Sequence, residues 1–271
     1  MATLYELKRL SDFDSTIKLS EDEAQAIIKS IDVLSKHMHT YFHYQITKRN
    51  LFQLLQYIDS CQNRFEYSDI LECNRFLFNF VDTFYSYINY FESQYKDTFQ
   101  SVKSFFYDYY FDYAFIYNLR NYMIHEDLPV YKERKEIFQD RIENKFIISK
   151  QVLLNSSRLQ KNFKPRFKKT FININEIDIF QSVVHFSKIL LEIQKKMLMV
   201  FSKELTEHFM FLKKYVQKEE VYLIKDGEIQ NGLLNVLSKY YQSMADNFVC
   251  VENLVDTTDV GELFAKISEI Y

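Results

Sequence analysis

The scarcity of glycine and proline constrains the fold of this chain more than any other feature of its sequence. Only three glycines and two prolines occur among its 271 residues. Sheet-rich folds need turn residues at short intervals, whereas long helices with short connections need few of them. The sequence therefore predicts an all-α protein, and the 47% of residues that are hydrophobic can supply a sizeable core.

Charge, cysteine content and hydropathy favour a cytoplasmic protein. The net charge is -3, so any contact with nucleic acid has to come from a local basic patch. Cys61, Cys73 and Cys250 are widely spaced and form no CxxC pair, which argues against a disulfide framework and for a reducing compartment. The first residues contain no apolar signal core, and no apolar run reaches the roughly 20 residues of a membrane-spanning helix. We therefore expect cytoplasmic localisation and no membrane partner.

The first half of the chain has helical periodicity throughout. Ser20 and Glu23 form a capping box, which predicts the start of a helix. Apolar residues recur at helical spacing after it and again over residues 51–58. The segments 70–91 and 99–125 are rich enough in Phe and Tyr to be buried on more than one side. Pro129 stops the last of these helices near residue 128.

The pattern changes after Pro129. Residues 131–143 are polar and are expected to form a short helix, whereas 145–154 are the best strand candidate. A lone strand is unstable, so 171–174 are expected to pair with it as a small ribbon. Helices are expected over 175–205, 233–251 and 260–270. This predicts a helical bundle with a minor β-ribbon insertion and additional C-terminal helices, divided into residues 1–130 and 131–271, either as two domains or as one.

The chemically most pointed segment is the end of the helix that precedes Pro129. At about 100° per residue, Asn121 and His125 are i, i+4 neighbours, and the long side chain of Arg120 can turn towards them. The negative end of the helix dipole favours a protonated His125. A guanidinium that holds a phosphate oxygen and an imidazole that moves a proton suit acid–base chemistry on a phosphodiester. The alternative is that Arg120 and His125 cap the helix and form salt bridges with neighbours such as Glu126 and Asp127.

The segment LRNYMIHEDLPV resembles the signature of the HEPN superfamily of helical ribonucleases, which is an Arg, a polar residue, a short spacer and a His. Arg120, Asn121 and His125 match these positions, with four residues between Arg and His. The resemblance covers about residues 19–130. Residues 152–154 and 176–179 look like the corresponding stretch of a bacterial branch of HEPN-like proteins.

The resemblance implies a HEPN-like bundle with metal-independent endoribonuclease activity and no cofactor. RNA would be cleaved to a 2′,3′-cyclic phosphate, with His125 as acid–base group, Arg120 stabilising the phosphorane charge and Asn121 orienting the pair. It also implies a homodimer with facing motifs, and a role as a toxin or phage-defence effector with an antitoxin or defence-system partner. The alternative is a non-catalytic helical module that binds RNA or a protein and uses the same motif for dimerisation.

A basic segment follows the strand candidate and is the predicted RNA-binding region. Clustered cations contact phosphates, and the aromatic faces of Phe163 and Phe167 between them can stack on unpaired bases. The alternative is a solvated loop between two strands. The six cations are Arg158, Lys161, Lys164, Arg166, Lys168 and Lys169.

For two further features, a histidine cluster and an aromatic run, we favour a structural role. His39 and His43 have the spacing of a two-histidine metal site, with His37 nearby, but no HExxH motif and no acidic third ligand accompany them. We therefore predict no metal site. The aromatic run 105–113 suits a base-binding groove or a dimer interface, and an aromatic core is favoured over both.

Overall fold

The computed structural model describes residues 4–9, 16–61, 67–138, 141–215, 221–233 and 236. The chain is mostly helical but is α+β, because two small antiparallel sheets accompany the helices. The helices are α1 (Glu21–Ser60), α2 (Tyr67–Gln94), α3 (Lys96–Tyr109), α4 (Phe111–His125), α5 (Lys150–Asn155), α6 (Phe163–Thr170) and α7 (Ile179–Lys213). The strands are β1 (Tyr5–Arg9), β2 (Thr16–Leu19), β3 (Val130–Phe138), β4 (Arg141–Ser149), β5 (Glu176–Asp178), β6 (Val221–Lys225) and β7 (Glu228–Gly232).

The described residues fall into two compact units. The first contains the described residues up to Phe42 and those from Met197 onwards, and the second runs from His43 to Lys196. The boundary expected after residue 130 lies inside the second unit, where β3, β4 and β5 belong together with α2 to α6. Within the described ranges, no helix is long and apolar enough to cross a membrane.

The first unit contains a four-stranded antiparallel sheet in the order β2-β1-β6-β7. Tyr5 and Leu7 of β1 are buried on one face. The hairpin between β6 and β7 turns at Asp226 and Gly227, which both have positive φ (49° and 86°), as a tight two-residue turn requires. The helices expected over 233–251 and 260–270 lie outside the described residues, except for residues 233 and 236.

The capping box predicted at the start of α1 is confirmed. Glu23 N donates to Ser20 Oγ at 3.3 Å, and Ser20 N donates to the Glu23 carboxylate at 3.0 Å. These two bonds satisfy backbone donors that a helix start otherwise leaves unpaired.

The core of the second unit is aromatic, as the sequence predicts for the segment 70–91. Phe80 and Phe84 of α2 are fully buried and meet Phe186 of α7 with ring centroids 5.5 and 4.7 Å apart. Edge-on aromatic pairs of this kind add stabilisation beyond the area they bury. α4 packs against the same helix, because the rings of Phe84 and Tyr113 meet edge-on at 5.5 Å.

The small sheet of the second unit differs from the predicted ribbon. Residues 131–143, expected to be a short helix, lie largely in the β3–β4 hairpin, so that expectation is wrong. The strand predicted over 145–154 exists as β4, but it ends at Ser149, whose Oγ accepts a bond from Val152 N at the start of α5. Its other partner is β5 rather than 171–174, which form a turn after α6.

Side chains of β3 reach across β4 to contact β5. Lys132 and Arg134 form ion pairs with Glu176, and Tyr131 Oη donates to the same carboxylate at 2.9 Å. The bonds from Lys132, Tyr131 and Arg134 lower the pKa of Glu176 to about 2. Glu176 therefore stays charged and continues to hold these donors throughout the pH range in which most proteins are folded.

Candidate functional site

The end of α4 is fixed by hydrogen bonds from several elements. Glu126 N donates to Tyr122 O at 2.9 Å, and Leu128 N donates to the side chain of Asp127. Buried Asn74 of α2 then bonds both backbone groups of Val130, accepting from Val130 N at 3.1 Å and donating to Val130 O at 2.8 Å. The helix ends at His125, three residues before the predicted stop, and the chain turns directly into β3.

Arg120 is held by two side chains of α2. Its Nη2 lies 3.4 Å from Asp82 Oδ1, and its guanidinium carbon lies 3.9 Å from the centre of the Tyr85 ring. Asp82 and Tyr85 are three residues apart and so share one face of α2. The Arg120 side chain is 19% exposed, and its buried Nε has no hydrogen-bond acceptor among the described residues. The guanidinium is thus anchored on α2, and the side chain remains only partly exposed.

His125 and Asn121 have a different environment from Arg120. His125 is exposed and Asn121 is half-buried, and neither side chain bonds another residue in the part of the chain that the structure describes. Both side chains are therefore available to a ligand. Asn121 and His125 are i, i+4 neighbours at the end of α4, whereas the Arg120 side chain contacts α2.

The acidic partners named for a purely structural motif are engaged elsewhere. Glu126 accepts bonds from Ser156 Oγ at 2.8 Å and Ser157 N at 3.1 Å. Asp127 bonds the adjacent backbone. Within the described ranges, the one acid that pairs with the motif is Asp82, which is distant in sequence.

The structure brings the basic segment alongside α4. The bonds that Glu126 accepts from Ser156 and Ser157 tie the residues just before Arg158 to the end of the motif helix. Further along, Gln160 N donates to the side chain of buried Asn118 at 2.8 Å. Two sequence features that were predicted independently are therefore neighbours in the second unit.

The predicted RNA-binding cations fall into two groups. Lys164 donates to Ser156 O, and Arg166 Nη1 donates to Tyr107 O at 2.6 Å, so these two hold the segment in place. The other four side chains are exposed and bond no other residue in the described ranges. These exposed cations are Arg158, Lys161, Lys168 and Lys169.

The aromatic residues of the basic segment do not face solvent. The segment folds into α6 instead of forming a loop, and Phe163 and Phe167 are buried on its inner face. They stack with Phe111 at 5.7 and 6.3 Å between ring centroids. The expectation that they stack on bases is therefore wrong, because these rings fill the contact between α4 and α6.

The histidines of α1 serve different purposes. His37 is buried, and its burial lowers the pKa to about 4. His39 is exposed, and His43 stacks on Tyr90 at 4.7 Å. Among the described residues, no group of three or more His, Cys, Asp or Glu is arranged to hold a metal ion.

Sequence reasoning missed Asp82 and Tyr85. Their i, i+3 spacing gives no functional signal, because only the packing of α2 against α4 reveals that they meet Arg120. The aromatic run 105–113 is divided in its role: Phe106 and Tyr113 are buried, whereas Tyr109 is 75% exposed. The run is also interrupted, since α3 ends at Tyr109 and Tyr110 is extended.

Comparison of this chain with protein-family models, with curated proteins and with solved structures found no match.

Proposed function

We propose that this chain is a HEPN-like, metal-independent endoribonuclease that acts as a homodimer. The observation that carries the proposal is the combination of an exposed His125 with a partly exposed Arg120 side chain on the same helix end. The resemblance of the Arg-Asn-x3-His segment to the HEPN signature supports the same reaction. The exposed cations of the adjacent basic segment supply contacts for an RNA backbone.

In this reaction the 2′-oxygen of the RNA forms a bond to the adjacent phosphorus, and the bond from phosphorus to the 5′-oxygen breaks. The proton of the 2′-hydroxyl leaves to an acid–base group, and the departing 5′-oxygen takes up a proton. His125 is the group for these transfers, and a dimer with facing motifs provides two copies of it. Arg120 stabilises the charge on the non-bridging oxygens, and Asn121 orients the reacting groups.

The test is cleavage of mixed RNA by the purified protein in EDTA. We expect cleavage that leaves a 2′,3′-cyclic phosphate and falls at least about a hundredfold in both Arg120→Ala and His125→Ala. Arg49→Ala and His39→Ala are matched controls, because both side chains are exposed and lie on α1. Activity that survives both motif substitutions would reject this site, and absence of cleavage by the wild type would favour the alternative below.

The toxin or defence role has a separate cellular test. Expression of the wild-type chain should slow bacterial growth, and His125→Ala should restore it at the same protein level. An antitoxin or defence-system partner would be recovered as a factor that relieves the wild-type effect. Equal growth with both proteins would contradict the toxin role. The ribonuclease activity would then be judged by the cleavage test alone.

One observation favours a second candidate, a non-catalytic module that binds RNA or a protein and dimerises through the motif. Asp82 and Tyr85 already occupy one side of Arg120, as they would if Arg120 mainly joined α2 to α4. This function predicts loss of the dimer in Arg120→Ala without any cleavage by the wild type. Sedimentation of the two proteins at several concentrations measures the dimer, which both functions include, and cleavage by the wild type in EDTA separates the two functions.

A further inference from the structure

A polar pocket lies beside the helix that carries the motif. Its volume is about 250 Å³, and it opens between α3, α4 and the turn that precedes α6. All of its walls belong to the second unit. The lining residues are Gln100, Lys103, Ser104, Tyr107, Asp108, Tyr117, Gln160 and Asn162.

Hydrogen bonds of a buried asparagine join the elements that line the pocket. Asn118, which is 1% exposed, donates to Tyr107 Oη at 3.0 Å and accepts from Gln160 N at 2.8 Å. These bonds fix α3, α4 and the turn to one another. In contrast, the side-chain amides of Gln100, Gln160 and Asn162 bond no other residue in the described ranges. Asn162 is the residue before α6, and its side chain makes no capping bond.

The charges of the pocket do not suit a phosphate in its interior. Lys103 is already paired with Glu92 at 2.7 Å, and Asp108 adds a carboxylate to the lining. Carboxamides offer both donors and acceptors, and two phenol rings add aromatic surface. This combination suits a neutral, planar group with mixed hydrogen-bonding edges, which describes the base of an unpaired nucleotide. The volume lies just below the usual range of ligand pockets, so the pocket suits a single nucleoside.

The position of the pocket links it to the motif. Tyr117 lines the pocket, and its ring lies 5.6 Å from that of Tyr85, which in turn carries the Arg120 guanidinium. Tyr117, Asn121 and His125 follow one another at i, i+4 spacing on α4. His125 lies eight positions after Tyr117, which is about 12 Å along the helix. Lys161 lies between the lining residues Gln160 and Asn162 in sequence, and its side chain is exposed.

We propose that this pocket is a ribonucleoside-binding subsite that holds one base of the RNA substrate, an assignment that rests on the proposed ribonuclease function. The base lies among Gln100, Gln160 and Asn162, and the strand then runs along α4 towards Arg120 and His125. The pocket thereby selects which phosphodiester reaches the motif.

The test measures binding of the four ribonucleoside 5′-monophosphates and of inorganic phosphate to the full chain by isothermal titration calorimetry. The titrations use the His125→Ala variant, so that binding is measured without the proposed cleavage activity. We expect at least one nucleotide to bind and inorganic phosphate not to compete with it. Gln160→Ala with Asn162→Ala should weaken that nucleotide about tenfold, which corresponds to the loss of one or two good hydrogen bonds. The matched control is Asn173→Ala with Gln181→Ala, because both side chains are exposed outside the pocket.

Each result separates the subsite from the ribonuclease. Nucleotide binding that depends on the pocket pair, without cleavage by the wild type, supports the subsite and rejects the enzyme. The opposite result is cleavage that requires Arg120 and His125 while no nucleotide binds in a way that depends on the pocket. This result supports the enzyme and overturns the subsite. Equal binding of nucleotides and phosphate, or equal binding by the pocket and control pairs, also overturns it.

Discussion

Two contacts hold the Arg120 side chain in position in the free protein. Asp82 compensates its charge at 3.4 Å, and the Tyr85 ring covers one face of the guanidinium. Partly exposed ion pairs contribute about 0–1 kcal/mol, so the Asp82 contact is weak enough for a phosphate to replace it. The Tyr85 ring still holds the guanidinium in position when the Asp82 carboxylate no longer contacts it.

Asp82→Asn should therefore increase the affinity for single-stranded RNA. Without the carboxylate, the positive charge of Arg120 is no longer partly neutralised, and we expect the Kd to fall severalfold at low salt. Binding is measured by fluorescence anisotropy of a labelled RNA in the His125→Ala background.

Glu72→Gln is the control for this effect. Glu72 also lies on α2 and also pairs with an arginine, Arg75, at 2.7 Å, so the substitution removes the same charge from the same helix. Equal gains in affinity in the two variants would show a general charge effect and would remove Arg120 from the RNA-binding surface.

Buried His37 predicts a loss of stability in acid. Its pKa is lowered from 6.5 to about 4 by burial, so the unfolded chain takes up a proton at this site before the folded chain does. The contribution of neutral His37 to the free energy of unfolding is complete above about pH 6.5. It falls by about 3 kcal/mol in total as the pH falls towards 4. Urea unfolding at a series of pH values measures this slope. His37→Leu should flatten it, whereas His39→Leu, at an exposed position of the same helix, should leave it steep.

At the scale of elements, the junction between α4 and β3 depends on one side chain of α2. Asn74 is 1% exposed and bonds both backbone groups of Val130, five residues after His125. Asn74→Ala leaves a buried donor and a buried acceptor without partners, which should cost about 2–4 kcal/mol. Chemical denaturation measures the loss. Asn79→Ala, at a half-buried position of α2, should change stability by less than about 1 kcal/mol, and a similar loss in both would contradict this role.

Local signals predicted those elements that local forces determine. The capping box of α1 and the aromatic burial of α2 were readable because both depend on spacing within one helix. The β3–β4 hairpin was missed because its charged strands look helical in isolation. Its residues Lys132 and Arg134 pair with Glu176, more than 40 residues away, and local spacing does not reveal such a contact. The sheet of the first unit was missed for the same reason, since β1 pairs with β6 over 200 residues along the chain.

The candidate site was predictable to a similar extent. The helix end that carries Arg120 and His125 follows from the sequence, because Pro129 and the apolar period define it. Asp82 and the lining of the pocket depend on which helices pack together, and a single sequence contains no record of that choice. A polar stripe at Gln100, Ser104 and Asp108 within an aromatic helix was the one available signal, since i, i+4 spacing places these residues on one face.

At the scale of the whole molecule, the net charge of -3 means that RNA binding has to come from a local surface. The proposed function assigns that surface to the four exposed cations of the second unit, Arg158, Lys161, Lys168 and Lys169. A single strand that contacts all four releases its counterions, and each contact adds about 0.7 to the slope of log Kd against log salt.

Replacing these four cations by alanine should therefore lower the salt slope by as much as about 3 and weaken binding at low salt. The measurement is RNA affinity between low and physiological salt in the His125→Ala background. Alanine at the exposed residues Lys188, Lys196, Lys203 and Lys213 of α7 removes the same charge and is the matched control. The net charge changes equally in both variants. A lower salt slope in the first variant alone would therefore show that RNA contacts the basic segment specifically. Equal slopes in the two variants would mean that RNA follows the overall field of the protein, and the basic segment would then have no distinct part in binding.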